Sequence, residues 1–273
     1  MKHTKALLAA ASALAMTAAL TACGGGTGGD TSGKVVIGVK FDQPGLGLKE
    51  GDTNTGFDVE VAKYVAGKLG YTDIEFKESP SAQRETLLES EQVKMIFATY
   101  SITDARKEKV SFAGPYFLAG QDLLVLETNT DITGPESLNG KKLCSVTGST
   151  SAQKVKDTLA SEVQLQELDT YSKCVEALAS GSIDAVTTDD VILAGFAAQA
   201  QFAGKLKVVG APFSEERYGV GIKKGDTELC TKINEALAEM VTSGAWQEAL
   251  DKTVGPSGFQ ASAANPPATD ACA

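Results

Sequence analysis

The sequence predicts an α/β protein with mostly parallel sheets. From residue 34 onward, short apolar runs alternate with longer stretches of helical periodicity. That order builds strand–helix–strand units. No segment repeats at a period of about 20–50 residues, which sets solenoids and propellers aside. Of the 273 residues, the 251 after the N-terminal 22 suffice for one large domain or two smaller lobes.

The elements follow in order. VVIGV (35–39) has the pattern of a buried strand, and 42–56 reads as a turn-rich loop. Residues 57–69 place Phe57, Val61, Tyr64, Val65 and Leu69 on one helix face, and Gly70 ends the helix. DIEFKE (73–78) predicts a strand, 81–88 a short helix with Ser81 as cap, and MIFAT (95–99) a strand. An aromatic, Pro-containing stretch from 111 runs into DLLVL, and LNGKKLCSV (138–146) gives a turn and a strand. Helices are expected over 149–159, 172–179, 191–203, 227–243 and 245–252. Strands are expected at IDAVTT (183–188), LKVVG (206–210) and YGVGI (218–222). The tail from Gly255 is rich in Ser, Ala and Pro and predicts irregular chain. Gly45, Gly47 and Gly51 miss the spacing of a dinucleotide loop by one residue, and no Walker-type motif is present.

The N-terminus predicts export. Lys2 and Lys5 precede an Ala/Leu-rich run over 6–20, shorter than the roughly 20 residues of a membrane span and of secretory-signal length. Leu20-Thr21-Ala22-Cys23 resembles the bacterial lipoprotein processing box, in which the Cys thiol is lipidated. Residues 1–22 are thus expected to be a signal peptide and 23–33 a Gly-rich flexible tether. A tether of about ten residues has a mean reach of roughly 17–19 Å.

Composition excludes several classes of function. Past residue 22 the chain holds 23 Lys and Arg against 35 Asp and Glu, a formal charge of −12. This argues against nucleic acid as a partner. The single His is His3, inside the expected signal. Ser-His-Asp and Cys-His catalysis and the usual catalytic zinc sites are therefore absent, and no cofactor is expected. No Cys pair has zinc-finger spacing.

MIFATYSITDARKEKVSFAGPYF (95–117) resembles bacterial solute-binding proteins for polar amino acids. GFDVEVAKYVAGKLG, KLCSVTGSTSAQ, GSIDAVTTDDVIL and YGVGIKKG extend the likeness over about 34–255. The match is nearest to the glutamate-binding lipoproteins of actinobacteria. The resemblance implies the type II periplasmic-binding fold, two α/β lobes joined by two crossing strands with the ligand between them. Mapped here, lobe 1 is 34–118 and 214–257, lobe 2 is 119–213, and 258–273 is a C-terminal tail. The crossings fall near 118–123 and 212–218.

The resemblance also implies a set of site residues. Arg106, assisted by Ser101 and the neighbouring Thr99, is expected to bind the α-carboxylate through its guanidinium fork. Ser149 and Thr150 open a helix whose free N–H groups suit the same anion. Asp189, or its neighbour Asp190, is expected to take the α-ammonium. Arg84 and Lys40 match side-chain pocket positions, and two cations there favour Glu or Asp over Gln, His, Arg or Lys. Phe57, Phe41 or Tyr100 is expected to pack on the ligand, with Phe57 the leading candidate.

Five Cys are present, and with Cys23 lipidated four remain. These allow three pairings; Cys144–Cys174 and Cys230–Cys272 keep each bridge within one lobe. The implied function is capture of L-glutamate, or L-aspartate, for an ABC-type permease, by a monomer anchored outside the membrane. Rival readings are an acid–base enzyme on the same fold, such as a cyclohexadienyl dehydratase, and a subunit presenting ligand to a membrane sensor.

Overall fold

The computed structural model describes residues 33–158 and 163–272. The expected signal segment and Cys23 lie outside the described residues. The chain opens with β1 (Lys34–Val39), then β2 (Asp42–Gln43), β3 (Gly47–Glu50) and β4 (Thr53–Thr55). These last three pair into a small antiparallel sheet where the sequence reads as a loop. Each has two to four residues, too few to show a period.

Helix α1 (Phe57–Lys68) buries Phe57, Val61, Ala62 and Val65, the face that the periodicity marks. After β5 (Asp73–Glu78), a 3-10 turn over Ser81–Gln83 runs into α2 (Arg84–Glu89). Ser81 is therefore within a turn and not a helix cap; Pro80 precedes it. Next come β6 (Met95–Phe97), the four-residue α3 (Asp104–Lys107) and β7 (Val110–Ala119). The second half holds β8 (Gln121–Leu126), β9 (Lys142–Val146), α4 (Thr150–Thr158), β10 (Gln164–Leu168), α5 (Tyr171–Ala179) and β11 (Ala185–Asp189). It continues with α6 (Asp190–Ala197) and β12 (Leu206–Val208). Periodicity extends α6 to Ala203, but the helix stops at Ala197 and turns, so that Phe202 swings back into the core. The chain then forms β13 (Glu216–Lys223), α7 (Thr227–Thr242) and α8 (Ala245–Thr253).

Two five-stranded sheets organise two lobes, in the orders β5-β1-β6-β13-β7 and β10-β9-β11-β8-β12. In each, the first three strands run parallel; β13 in one and β8 in the other run antiparallel to their neighbours. The chain leaves the first sheet at Ala119, passes Gly120 and enters the second at Gln121. It returns at Glu216, which pairs with Ala119. The crossings are fastened to each other: Phe213 N donates to Gln121 O at 2.9 Å, and Gln121 N donates to Ser214 Oγ at 3.1 Å.

An aromatic cluster fills the first lobe. The Phe57 ring stands edge-on to Trp246 at 5.5 Å and to Phe117 at 5.6 Å, and Trp246 Nε1 donates to Tyr116 O at 2.8 Å. Cys144 is bridged to Cys174 and Cys230 to Cys272, one bridge beside each sheet. The tail is not free. Asn265 Oδ1 accepts from Leu118 N and its Nδ2 donates to Leu118 O, both at 2.8 Å. Asp270 N donates to Gly114 O, and Asp270 Oδ1 pairs with Arg217 at 2.8 Å. The tail thus runs along β7, the outer strand of its sheet. Among the described residues, no helix is long and apolar enough to cross a membrane.

Candidate functional site

The carboxyl ends of the strands from both sheets face one pocket, where open α/β sheets place their ligands. Ser81, Arg84 and Thr99 line it from the first lobe. Ser149, Thr150, Ser151, Tyr171, Thr188, Asp189 and Ile192 line it from the second. Only Tyr171 and Ile192 bring much apolar surface. Little enclosed space is left between the walls. Such a pocket suits a small polar molecule.

The lobes touch around it. Ser101 Oγ lies 3.4 Å from Thr150 Oγ1. Arg106 Nη1 donates to Ser101 O at 2.8 Å, and its Nη2 donates across the cleft to Gly148 O at 3.1 Å. Gly148 has φ +76°, and a β-carbon there would stand 2.8 Å from the Ala82 backbone, so this approach requires glycine. Arg106, Ser101, Ser149 and Thr150 are thus brought together, although neither Arg106 nor Ser101 lines the pocket. Ser149 Oγ accepts from Ala152 N at 2.9 Å, capping α4, while Thr150 and Ser151 present the helix start to the pocket.

Asp189 ends β11 at 3% exposure. Its Oδ2 accepts from the Tyr218 hydroxyl at 2.5 Å, whereas Oδ1 is buried with no hydrogen-bond partner among the described residues. Burial, then the charge of Glu216, hold this carboxyl well above its ordinary range. An oxygen in that state calls for a cation. The neighbouring Asp190 is committed elsewhere: its Oδ1 accepts from Gly120 N and Val191 N. This separates the two adjacent acids that sequence alone leaves ambiguous.

Arg84 is 2% exposed, and its Nη1 donates to Ala98 O at 2.9 Å. The Tyr100 ring lies between two guanidiniums, 4.3 Å from Arg84 and 5.0 Å from Arg106. Lys40 does not line the pocket. It is 4% exposed and donates to Ser81 Oγ at 3.0 Å, and Ser81 is in the wall. Burial, then the nearby Arg84, lower the Lys40 pKa to about 7. Arg106 is lowered to about 10 by the same two causes. Among the described residues, neither Lys40 nor Arg84 forms an ion pair within 4 Å. Lys40 and Arg84 therefore bring positive charge to the first-lobe side with no carboxylate paired to it, whereas Arg106 Nε lies 3.7 Å from Glu85 Oε1.

Thr99 lines the pocket with φ 45°, a costly conformation for a β-branched residue. It is held there by its N–H, which donates to Asp58 Oδ2 at 2.9 Å. Asp58 also accepts from the Tyr116 hydroxyl at 2.7 Å, and burial raises its carboxyl to about 6. Phe57 is a correction: it is absent from the pocket wall and lies fully buried in the aromatic cluster, because its helix turns that face to the sheet.

Sequence reasoning missed Tyr171, Ser151, Thr188 and Ile192. Thr188 and Ile192 flank Asp189 by one residue before and three after, a spacing that could have nominated them. Tyr171 follows β10, a strand with no strong apolar signal, so no strand end pointed to it.

Comparison with known proteins agrees with this architecture. Residues 35–256 match the model of bacterial extracellular solute-binding proteins, family 3. The glutamate-binding protein GluB of Corynebacterium efficiens is 50% identical over 237 residues, covering 82% of this chain and 80% of that protein. The ABC transporter glutamine-binding protein GlnH of Bacillus subtilis is 37% identical over 226 residues, covering 81% of each. An ancestral arginine-binding protein solved with glutamine superposes with a TM-score of 0.76 at 37% identity, over 82% of this chain and 98% of that one. With its two-lobed α/β fold and a polar pocket at the strand ends, the chain belongs to family 3 of the bacterial extracellular solute-binding proteins.

Proposed function

We propose that this chain captures L-glutamate, with L-aspartate as the nearest competitor, outside the cell membrane and hands it to the permease of an ABC-type importer. The carrying observation is the charge layout of the pocket. Arg84, with Lys40 behind Ser81, supplies positive charge without a paired carboxylate on one side, and Asp189, in the wall on the other, carries an unpartnered buried oxygen. A dicarboxylic amino acid complements both. Its α-carboxylate would meet the start of α4 within the field of Arg106 beside Ser101, its ammonium Asp189, and its distal carboxylate Arg84, with the charge of Lys40 behind Ser81. Closure of lobe 1 (34–118 and 214–257) on lobe 2 (119–213) would sequester it. A lipid on Cys23 and the Gly-rich 23–33 tether would keep the monomer within reach of its permease. The relatives named for glutamate and glutamine support the amino-acid class.

Calorimetry on residues 33–273 with glutamate, aspartate, glutamine and lysine tests the assignment. Glutamate is expected to bind most tightly and lysine not at all. Glutamine binding as tightly as glutamate would overturn it. Mass spectrometry of the membrane-fraction protein tests the anchor, with a diacylglycerol mass on an N-terminal Cys23 as the expected result.

A further inference from the structure

Beside the pocket, the lobes meet at a second seam. Asp42 belongs to the small antiparallel sheet of the first lobe, and α5 to the second. Asp42 Oδ2 accepts from Tyr171 N at 3.0 Å and from Ser172 N at 3.4 Å, the first two N–H groups of α5. Ser172 Oγ donates back to Asp42 O at 3.3 Å. These N–H groups have no intrahelical partner, and a carboxylate there also meets the positive end of the helix dipole. Two residues on, Pro44 O abuts Gly195 of α6, where a β-carbon would stand 2.2 Å from it. The segment over 42–44 thus docks on two helices of the opposite lobe.

We propose that Asp42 is a closure latch, a positioning residue that holds the lobes together by capping α5 across the cleft and so slows ligand release without touching ligand. The inference rests on the reading that the cleft closes on an amino acid. Tyr171 lies at the join: its N–H bonds Asp42 and its side chain lines the pocket. When the lobes part, the α5 start turns to water and Asp42 is solvated. The latch therefore contributes only to the closed form, which is the condition for shifting that equilibrium.

The test compares Asp42→Ala, Asp42→Asn and Gly195→Ala with the parent. Dissociation constants come from calorimetry and off-rates from stopped-flow competition, for glutamate, aspartate and glutamine in parallel. Thr170 remains the N-cap of α5, so the loss of the two Asp42 bonds, taken at the scale of a cap, predicts an off-rate in Asp42→Ala raised roughly 2- to 30-fold. The on-rate and the glutamate-to-glutamine ratio stay unchanged. Asp42→Asn restores most of the effect, since Asn caps as well as Asp. Gly195→Ala raises the off-rate by a different route, by obstructing Pro44. An unchanged off-rate in Asp42→Ala overturns the latch. So does a changed ligand ratio, which would put Asp42 against ligand, or a loss carried by the on-rate. Tighter binding of glutamine would defeat the glutamate assignment, while the latch would still be read from the off-rate of whichever ligand binds. If none binds, the latch falls with the reading beneath it.

Discussion

Replacing Asp189 with Asn should weaken ligand binding and strengthen the ligand-free fold. The amide is isosteric and can still accept from the Tyr218 hydroxyl, so the shape of the site survives. What disappears is the charge beside the unpartnered Oδ1. A ligand ammonium buried there without a counter-charge costs about 3–5 kcal/mol, a loss of roughly 10²–10⁴-fold in affinity. Without ligand the sign reverses. Burial, then Glu216, raise the Asp189 pKa in the folded state. The folded protein then binds more protons than the unfolded chain, and its stability falls as pH rises from the ordinary carboxylate range through the raised pKa. Asn does not ionise, so ligand-free Asp189→Asn should melt above the parent at neutral pH and lack this decline. Titration calorimetry and scanning calorimetry on the same samples measure both. Undiminished glutamate affinity, or a lower melting point without ligand, would refute the role given to Asp189.

Lys40→Met should narrow the preference for glutamate over glutamine. It should also stabilise the ligand-free protein at pH 7, because a lysine whose folded pKa is lowered to about 7 opposes folding most below that pH and less as pH approaches its unfolded value; parallel calorimetry with both ligands and a melting curve check this. In the parent, ionisation of Asp189 raises affinity for either ligand as pH rises, whereas glutamate alone should lose affinity as pH rises through about 7 and Lys40 gives up its proton to solvent. Glutamine should show only the rising limb in the same titration series. Cys272→Ser should lower stability by about 4 kcal/mol on the loop-entropy account, since the bridge spans 42 residues; urea unfolding measures it.

How much of this was readable in the sequence depended on how each element buries itself. Helix α1 and the buried strands β1 and β11 declare themselves because a helix face or a continuous run must be apolar to pack. β2 to β4 do not, since three short strands in a Gly- and Pro-containing segment bury too little to leave a period. β10 carries only two Leu among Gln, Gln and Glu at the outside of its sheet and stays half-exposed, so the Tyr171 that follows it was invisible. Asp189 was legible as the acid closing an apolar strand, but choosing it over Asp190 needed the hydrogen bonds of Gly120. Phe57 misled because an aromatic at a strand–helix junction can turn to ligand or to core, and only the packing of Trp246 and Phe117 decides. The opposition of Asp42 and α5 joins residues about 130 apart in sequence, and neither side carries a mark of the other.

The C-terminal tail, whose composition reads as spacer, has a consequence for how many copies can coexist in a small volume. β7 is an outermost strand, and an outermost strand with free N–H and C=O groups is a template for a foreign strand. Asn265 occupies both polar groups of Leu118, Asp270 N takes the carbonyl of Gly114, and Asn234 Oδ1 accepts from Gly114 N. The chain in this way supplies its own last strand partner, bolted in place by Cys230–Cys272. Where copies crowd together, that spares each the risk of being sewn to its neighbour.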